Sequence, residues 1–355
     1  MKSLWRDLGF GFRLLRRRPA FAAAVLLSLV LGIGLNTAIF TLIDAIFLRP
    51  LPVEDVDRLA AIYAMRRNEV GEYTGHLSLS HPNYLELRER SRSFDGIALH
   101  LWNKMNFTGG SGPVRGTGMF VTANYFDVLG VGAVAGRFFS AGEDLDPGAH
   151  AVTVLSHGCW SRLFGQDEAA VGQTVEINGR SHSVIGVAPE GFKGTSVGVD
   201  VDFWLPMSMF QELSPYGQWF EMRGGALFNG VGRLAQGVSL QQAEKELMGL
   251  SQQLEEAFPT QNEGLGARVK PLLQGTMQPS DRPRHVGYGT ILMVAVGLIL
   301  LMSCLNVASL LLVRGLERGR EIAIRQSLGA SRNRMVSQLV RENLFLFLLG
   351  GALSL

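Results

Sequence analysis

An α+β domain held between transmembrane helices is the fold class the sequence predicts, and three observations predict it. Two uncharged, mostly apolar runs, residues 19–43 and 286–313, are 25 and 28 residues long. Basic residues crowd just outside those runs, whereas the segment between them is acidic. That middle segment breaks into short periodic stretches divided by turn signals rather than low-complexity sequence.

The totals agree with a mixed chain. Charged residues make up 18% of the 355 residues and apolar residues 47%, with a net charge of +2. These values suit neither a wholly soluble enzyme nor a carrier built only of membrane helices. About 20 apolar residues cross the hydrocarbon core as a helix, so both runs are long enough to span with some tilt. A basic start followed by an apolar run also describes a signal peptide, whose apolar region is shorter. Here the first run continues to residue 43 and leads into Arg49-Pro50-Leu51-Pro52, so an uncleaved helix is expected. Residues 343–355 are uncharged too and read as the start of a third span. A half-crossed helix would leave backbone groups unsatisfied in lipid, so the expectation is a fragment of a longer chain.

Orientation follows from lysine and arginine near the spans. Residues 1–18 carry six basic side chains against Asp7, and residues 314–341 carry seven against Glu317 and Glu321. Residues 44–285 hold 20 basic and 27 acidic side chains. The expected topology therefore puts the N-terminus in the cytoplasm and the large domain across the membrane.

Within 44–285, residues 58–65 read as a strand, and Ser80-His81-Pro82 opens a helix running to about Arg92, since proline suits the first helical position. Thr122 is expected to cap a short helix through Leu129, which Gly130 ends. Residues 173–187 read as a hairpin about Asn178-Gly179, because both positions of that turn need a positive φ. Ser239 and Gln242 have capping-box spacing. The helix behind them places Leu240, Ala243, Leu247, Leu250 and Leu254 on one face. Strand-like segments at 226–234 and 266–273 flank it as a βαβ unit, and 58–65, 82–92 and 96–101 make a similar one early on. The predicted arrangement is two subdomains, one built from both ends and a more β-rich one inserted at about 105–225.

No arrangement of residues points to catalysis. Gly191-Phe192-Lys193-Gly194-Thr195-Ser196 has P-loop ingredients in the wrong order and reads as a turn. His76, His81 and His100 lack the partners and spacing of a zinc site and read as solvated or capping residues. Glu143, Asp144 and Asp146 lack the ligand set of a calcium loop and read as a solvated acidic turn. Gly109-Gly110-Ser111-Gly112 is not a nucleophile elbow and reads as a flexible loop. Cys159 and Cys304 read as two unrelated small hydrophobes. No metal, cofactor or nucleic-acid partner is implied.

The segment after the second run, 314–342, is the informative one. Glu321 and Arg325 stand in the favourable i,i+4 order on a helix. Leu328-Gly329-Ala330-Ser331 reads as a helix stop and a new cap, and Met335/Leu339 and Val336/Val340 then form an apolar face leading into the membrane. Such a basic helix can rest on anionic lipid or dock a cytoplasmic protein.

The residues Arg320-Glu321-Ile322-Ala323-Ile324-Arg325-Gln326-Ser327-Leu328-Gly329-Ala330, with Arg334, Gln338 and Glu342 following, resemble the signature after the second span of MacB/FtsX-type ABC transporter permeases. Leu31-Gly32-Ile33-Gly34-Leu35-Asn36-Thr37-Ala38-Ile39-Phe40 and Leu48-Arg49-Pro50-Leu51-Pro52 are similar to the first span of that family, in particular of its internally duplicated orphan branch. The middle, with Asn124-Tyr125-Phe126-Asp127-Val128-Leu129-Gly130-Val131, Gly136-Arg137-Phe138-Phe139, Val171-Gly172 and Ile185-Gly186-Val187-Ala188-Pro189, resembles the MacB-like periplasmic core domain.

The resemblance implies a multi-pass permease of the bacterial inner membrane, with a cytoplasmic N-terminus and a periplasmic domain. It implies a separate cytoplasmic ABC ATPase that docks on 314–342, so this chain is no enzyme itself. Arg320, Glu321, Arg325, Gly329, Ala330, Arg334, Gln338 and Glu342 would form the coupling segment. Further implied partners are a second permease copy or duplicated half, a periplasmic adaptor and membrane lipid. ATP-driven closure would be transmitted through the spans to the periplasmic domain, for export or periplasmic handling of a substrate. The alternative expectation is a regulator that conveys the ATPase state to a periplasmic partner such as a cell-wall hydrolase.

Overall fold

Proline at position 19 opens the first long helix, α1 (Pro19–Ile43), where a missing backbone N–H costs nothing. No charged side chain interrupts it. The computed structural model describes residues 19–43, 52–109, 112–144, 146–196, 198–272 and 282–317. They fall into two units, one made of the long helices and one of the domain between them.

The domain runs in the order β1 (Leu59–Arg67), β2 (Tyr73–Leu77), α2 (His81–Arg90), β3 (Phe94–Gly109), β4 (Gly112–Val121) and α3 (Tyr125–Leu129). Next come β5 (Ala135–Gly136), β6 (Val152–Leu155), α4 (His157–Phe164), β7 (Thr174–Ile177), β8 (Arg180–Val187) and β9 (Phe203–Pro206). It closes with β10 (Asn229–Leu234), α5 (Leu240–Ala257) and β11 (Leu265–Pro271).

Local chemistry sets several of these boundaries. The Ser80 hydroxyl accepts from the Asn83 N–H at the start of α2. The Ser239 hydroxyl and the Gln242 side chain cap each other's backbone N–H groups at the start of α5. Asn178 (φ 48°) and Gly179 (φ 82°) turn β7 into β8, as the hairpin geometry demands. Thr122 does not cap α3. Its hydroxyl accepts from the Leu99 N–H and donates to Asn124, which takes the cap position instead. The competition from a neighbouring strand decides this, and no local pattern records it.

Among the described residues one sheet of 11 strands forms, in the order β11-β1-β10-β3-β4-β9-β6-β8-β5, with β2 and β7 attached beside it. β10 lies between β1 and β3 and is antiparallel to both, and β1 lies between β10 and β11 in the same way. Each expected βαβ unit is therefore split, the strand of the other unit filling the gap. The chain leaves this four-stranded part through the long β3–β4 hairpin and returns along β10.

Both faces of the sheet are covered, which is why β1 reads as nearly unbroken apolar sequence. Ala60, Ile62 and Ala64 face α2 and α5 through Tyr84, Leu87, Ala243, Leu247 and Leu254. Leu59, Ala61 and Tyr63 join the other cluster with Tyr125, Phe126, Phe192 and Trp204. The first cluster continues into the inserted segment through Phe107, Phe203 and Phe210.

The last described helix is α6 (Arg282–Glu317). Its apolar stretch Thr290–Leu310 and the stretch Ala23–Thr41 of α1 are each long and apolar enough to cross a membrane. Most of their large side chains are exposed, among them Leu27, Leu31, Leu298, Leu301 and Leu305. Within this unit the helices touch at Gly32, where an added Cβ would lie 2.6 Å from the Ser303 hydroxyl oxygen. Small residues allow such close approach where the surrounding solvent is lipid.

Candidate functional site: spans and outer domain

The residues expected to couple to a motor, Arg320, Glu321, Arg325, Gly329, Ala330, Arg334, Gln338 and Glu342, lie outside the described residues, as do 1–18 and 343–355. What is described is the end of α6 at Glu317, from which that segment continues, and the whole frame of the outer domain.

Three polar clamps make that frame rigid. The Asn83 and Asn262 amides pair, with Asn83 Nδ2 donating to Asn262 Oδ1 at 2.9 Å. Arg223 donates to Asn83 Oδ1 at 2.9 Å and to Glu86 Oε1 at 3.3 Å, while its guanidinium lies 3.6 Å over the Phe258 ring. This first clamp ties the segment before β10 to α2 and to the end of α5. In the second, Glu246 on α5 accepts from the Ser91 hydroxyl and from the N–H groups of Arg92 and Ser93 at 2.8–2.9 Å. Burial alone would raise that carboxyl, but these donors hold it below the ordinary range.

The third clamp corrects the expectation of a solvated acidic turn. Glu143 is 7% exposed and takes two hydrogen bonds from the Arg137 guanidinium, at 2.7 and 2.8 Å. It also accepts from the N–H and hydroxyl of Ser140. The Arg137 bonds, against the opposing effect of burial, bring its pKa down to about 2. Asp144 beside it accepts from the N–H groups of Ala123 and Ser208, both at 3.1 Å. With burial dominating, its pKa rises to about 6. The turn thus joins the start of α3 to the segment after β9.

The histidines separate rather than converge. His76 meets the Tyr63 ring edge-on, His81 stacks on Phe220 at 4.0 Å, and His100 is buried beside Tyr125. His100 is thus not a solvated side chain. No group of three metal-ligating side chains forms among the described residues. Burial pushes the Cys159 thiol up to about 12.

The first two clamps have no signal in the sequence, whereas Arg137, Ser140 and Glu143 of the third lie within seven residues of one another. Arg223 and Asn83 are 140 residues apart and Asn83 and Asn262 are 179 apart. No local spacing marks such pairs.

Two helices long and apolar enough to cross a membrane thus stand on either side, along the chain, of a two-faced α+β domain. Residues 22–250 match the model of the MacB-like periplasmic core domain, and residues 293–355 that of the FtsX-like permease C-terminal region. The chain belongs to the MacB/FtsX-type family of ABC transporter permeases.

It is 28% identical over 240 residues to the macrolide export ATP-binding/permease protein MacB of Salmonella paratyphi A, covering 66% of this chain and 34% of that protein. Over 338 residues it is 22% identical to a MacB 1 protein of Yersinia pestis bv. Antiqua, covering 94% of this chain. It spans 49% of that relative's length. Among solved structures it is similar to a domain of a permease protein from Porphyromonas gingivalis (TM-score 0.46, 17% identity, 63% of this chain and 92% of that one). It is also similar to the periplasmic region of MacB from Actinobacillus actinomycetemcomitans (TM-score 0.43, 16% identity, 70% of this chain and 98% of that one).

Proposed function

We propose that this chain transmits the state of a separate cytoplasmic ATPase through its spans to the periplasmic domain, moving or handling a substrate on the periplasmic side. The observation that carries the reading is the match to the FtsX-like permease region at 293–355, which runs from α6 through the basic segment. The motor docks on 314–342, where Gly329 permits the turn and Glu321 and Arg325 present complementary charge. The N-terminus is cytoplasmic, by the arginines that flank both spans. A second permease copy or a duplicated half covers the exposed apolar faces of α1 and α6, lipid covers the remainder, and a periplasmic adaptor contacts the outer domain. Residues 105–225 form a second, inserted subdomain entered through the β3–β4 hairpin.

Deleting residues 320–334 should lower the ATP hydrolysis that co-purifies with the chain from host membranes at least about tenfold, as loss of central contacts does at interfaces. The reversals Glu321→Arg and Arg325→Glu should each weaken it too. Undiminished co-purification after the deletion would leave only a lipid-resting helix.

The topology is checked by thiol labelling. Val70 is 84% exposed, so Val70→Cys in spheroplasts should react with a membrane-impermeant maleimide. Native Cys159 stays silent because it is buried and its thiol is held neutral. Ser3→Cys should react only after lysis, and the reverse pattern would invert the assigned orientation.

A further inference from the structure

A cavity of about 380 Å³ opens between α2, the start of α3 and the turn at residues 139–144. Its volume falls in the range of small-ligand sites. Tyr84, Leu85 and Phe139 supply an apolar wall, and Arg88, Asp127 and Asp144 supply charge of both signs.

No close ion pair joins these charges among the described residues, although the Arg88 charge acts on Asp144 through space. The Arg88 guanidinium donates to the Tyr84 hydroxyl at 3.3 Å and lies 5.4 Å from the centre of that ring. Among the described residues it has no carboxylate within 4.0 Å. Asp127 likewise has no side-chain partner among the described residues. Asp144 is held in place by two backbone N–H groups, and its carboxylate has lone pairs left over.

A cation alone in this cavity would meet Arg88, and an anion alone would meet two carboxylates. A molecule carrying both charges satisfies all three, and the apolar wall takes its body. We propose that this cavity binds a zwitterionic amino compound with an apolar side chain, of amino-acid to dipeptide size. Arg88 takes the carboxylate and Asp127 with Asp144 takes the ammonium group. The site lies wholly in the outer domain and does not depend on the motor-coupling reading.

The test is calorimetric titration of the full chain in detergent with L-leucyl-L-phenylalanine, without ATP or an ATPase. Saturable binding is expected with a Kd of about 1 mM or below. Arg88→Gln and Asp127→Asn should each weaken it about tenfold, the scale of one charge-assisted hydrogen bond. Both side chains are exposed, so unchanged thermal midpoints confirm that the variants fold. The same dipeptide with its amine acetylated and its carboxylate amidated should not bind. No saturable heat, equal binding of the blocked dipeptide, or full affinity in both variants would each overturn the proposal.

Discussion

Phe126→Ala should lower the stability of the outer domain by about 3–5 kcal/mol, the range for emptying a buried phenylalanine site. Phe126 has no exposed surface and stacks on Phe138 at 3.8 Å between ring centroids. It also meets Trp204 at 5.6 Å, Tyr125 at 5.4 Å, Phe192 at 6.0 Å and Phe139 at 6.1 Å. Aromatic pairs add about 0.5–1.5 kcal/mol each beyond burial. The rings come from α3, the turn after β5, the segment after β8 and from β9, so the surroundings are anchored separately and cannot collapse into the vacancy. Phe126→Leu keeps much of the volume and should cost clearly less. Chemical denaturation of the full chain, followed by tryptophan fluorescence, reads both. Equal midpoints for wild type and Phe126→Ala would show that this cluster does not hold the domain.

The second large effect is acid sensitivity at the Glu143 clamp. The folded protein holds Glu143 at about 2 against an ordinary 4.5, so the unfolded chain binds the proton more readily. The clamp's stabilisation is complete above about pH 4.5 and is lost as the pH falls towards 2. Asp144 has the opposite sign. Its folded value of about 6 exceeds the ordinary 3.8, so its ionisation costs stability as the pH rises through that window. His81 and His100 add a third contribution. Burial, joined at His81 by Arg88, lowers both from 6.5 to about 4, so they destabilise the fold as the pH falls across that interval. Glu143→Gln should therefore flatten the melting curve's dependence on pH between 4.5 and 2 and leave the region above pH 5 with its wild-type slope. A wild-type slope below pH 4.5 in that variant would assign acid loss to other carboxyls.

Elements whose causes are local are legible in the sequence. Pro19 opening a charge-free helix, the hairpin at Asn178-Gly179, the Ser239–Gln242 capping box and the Ser80 cap all act over fewer than five residues. The same holds for the apolar face of α5, where Ala243, Leu247 and Leu254 are buried as their spacing requires. Residues 314–342 are legible in another way, as a string of residues with a family likeness, and they lie within the match at 293–355.

Pairings over long distances are not legible. The placing of β10 between β1 and β3 brings together strands more than a hundred residues apart, and strand propensity carries no information about neighbours. The acidic turn reads as solvated because Glu143, Asp144 and Asp146 are polar. Arg137 and the backbone of Ala123 and Ser208 make burial of the first two tolerable.

By itself the sequence determined the lipid-length helices, the acidic domain between them and the local caps and turns, because length, charge and short-range hydrogen bonding act along the chain. The tertiary structure alone decided the split βαβ order, the clamps at Arg223 and Glu246, the contacts of Asp144 with Ala123 and Ser208, and the charges around the α2–α3 cavity. Those depend on which distant side chains meet once both faces of the sheet have been covered.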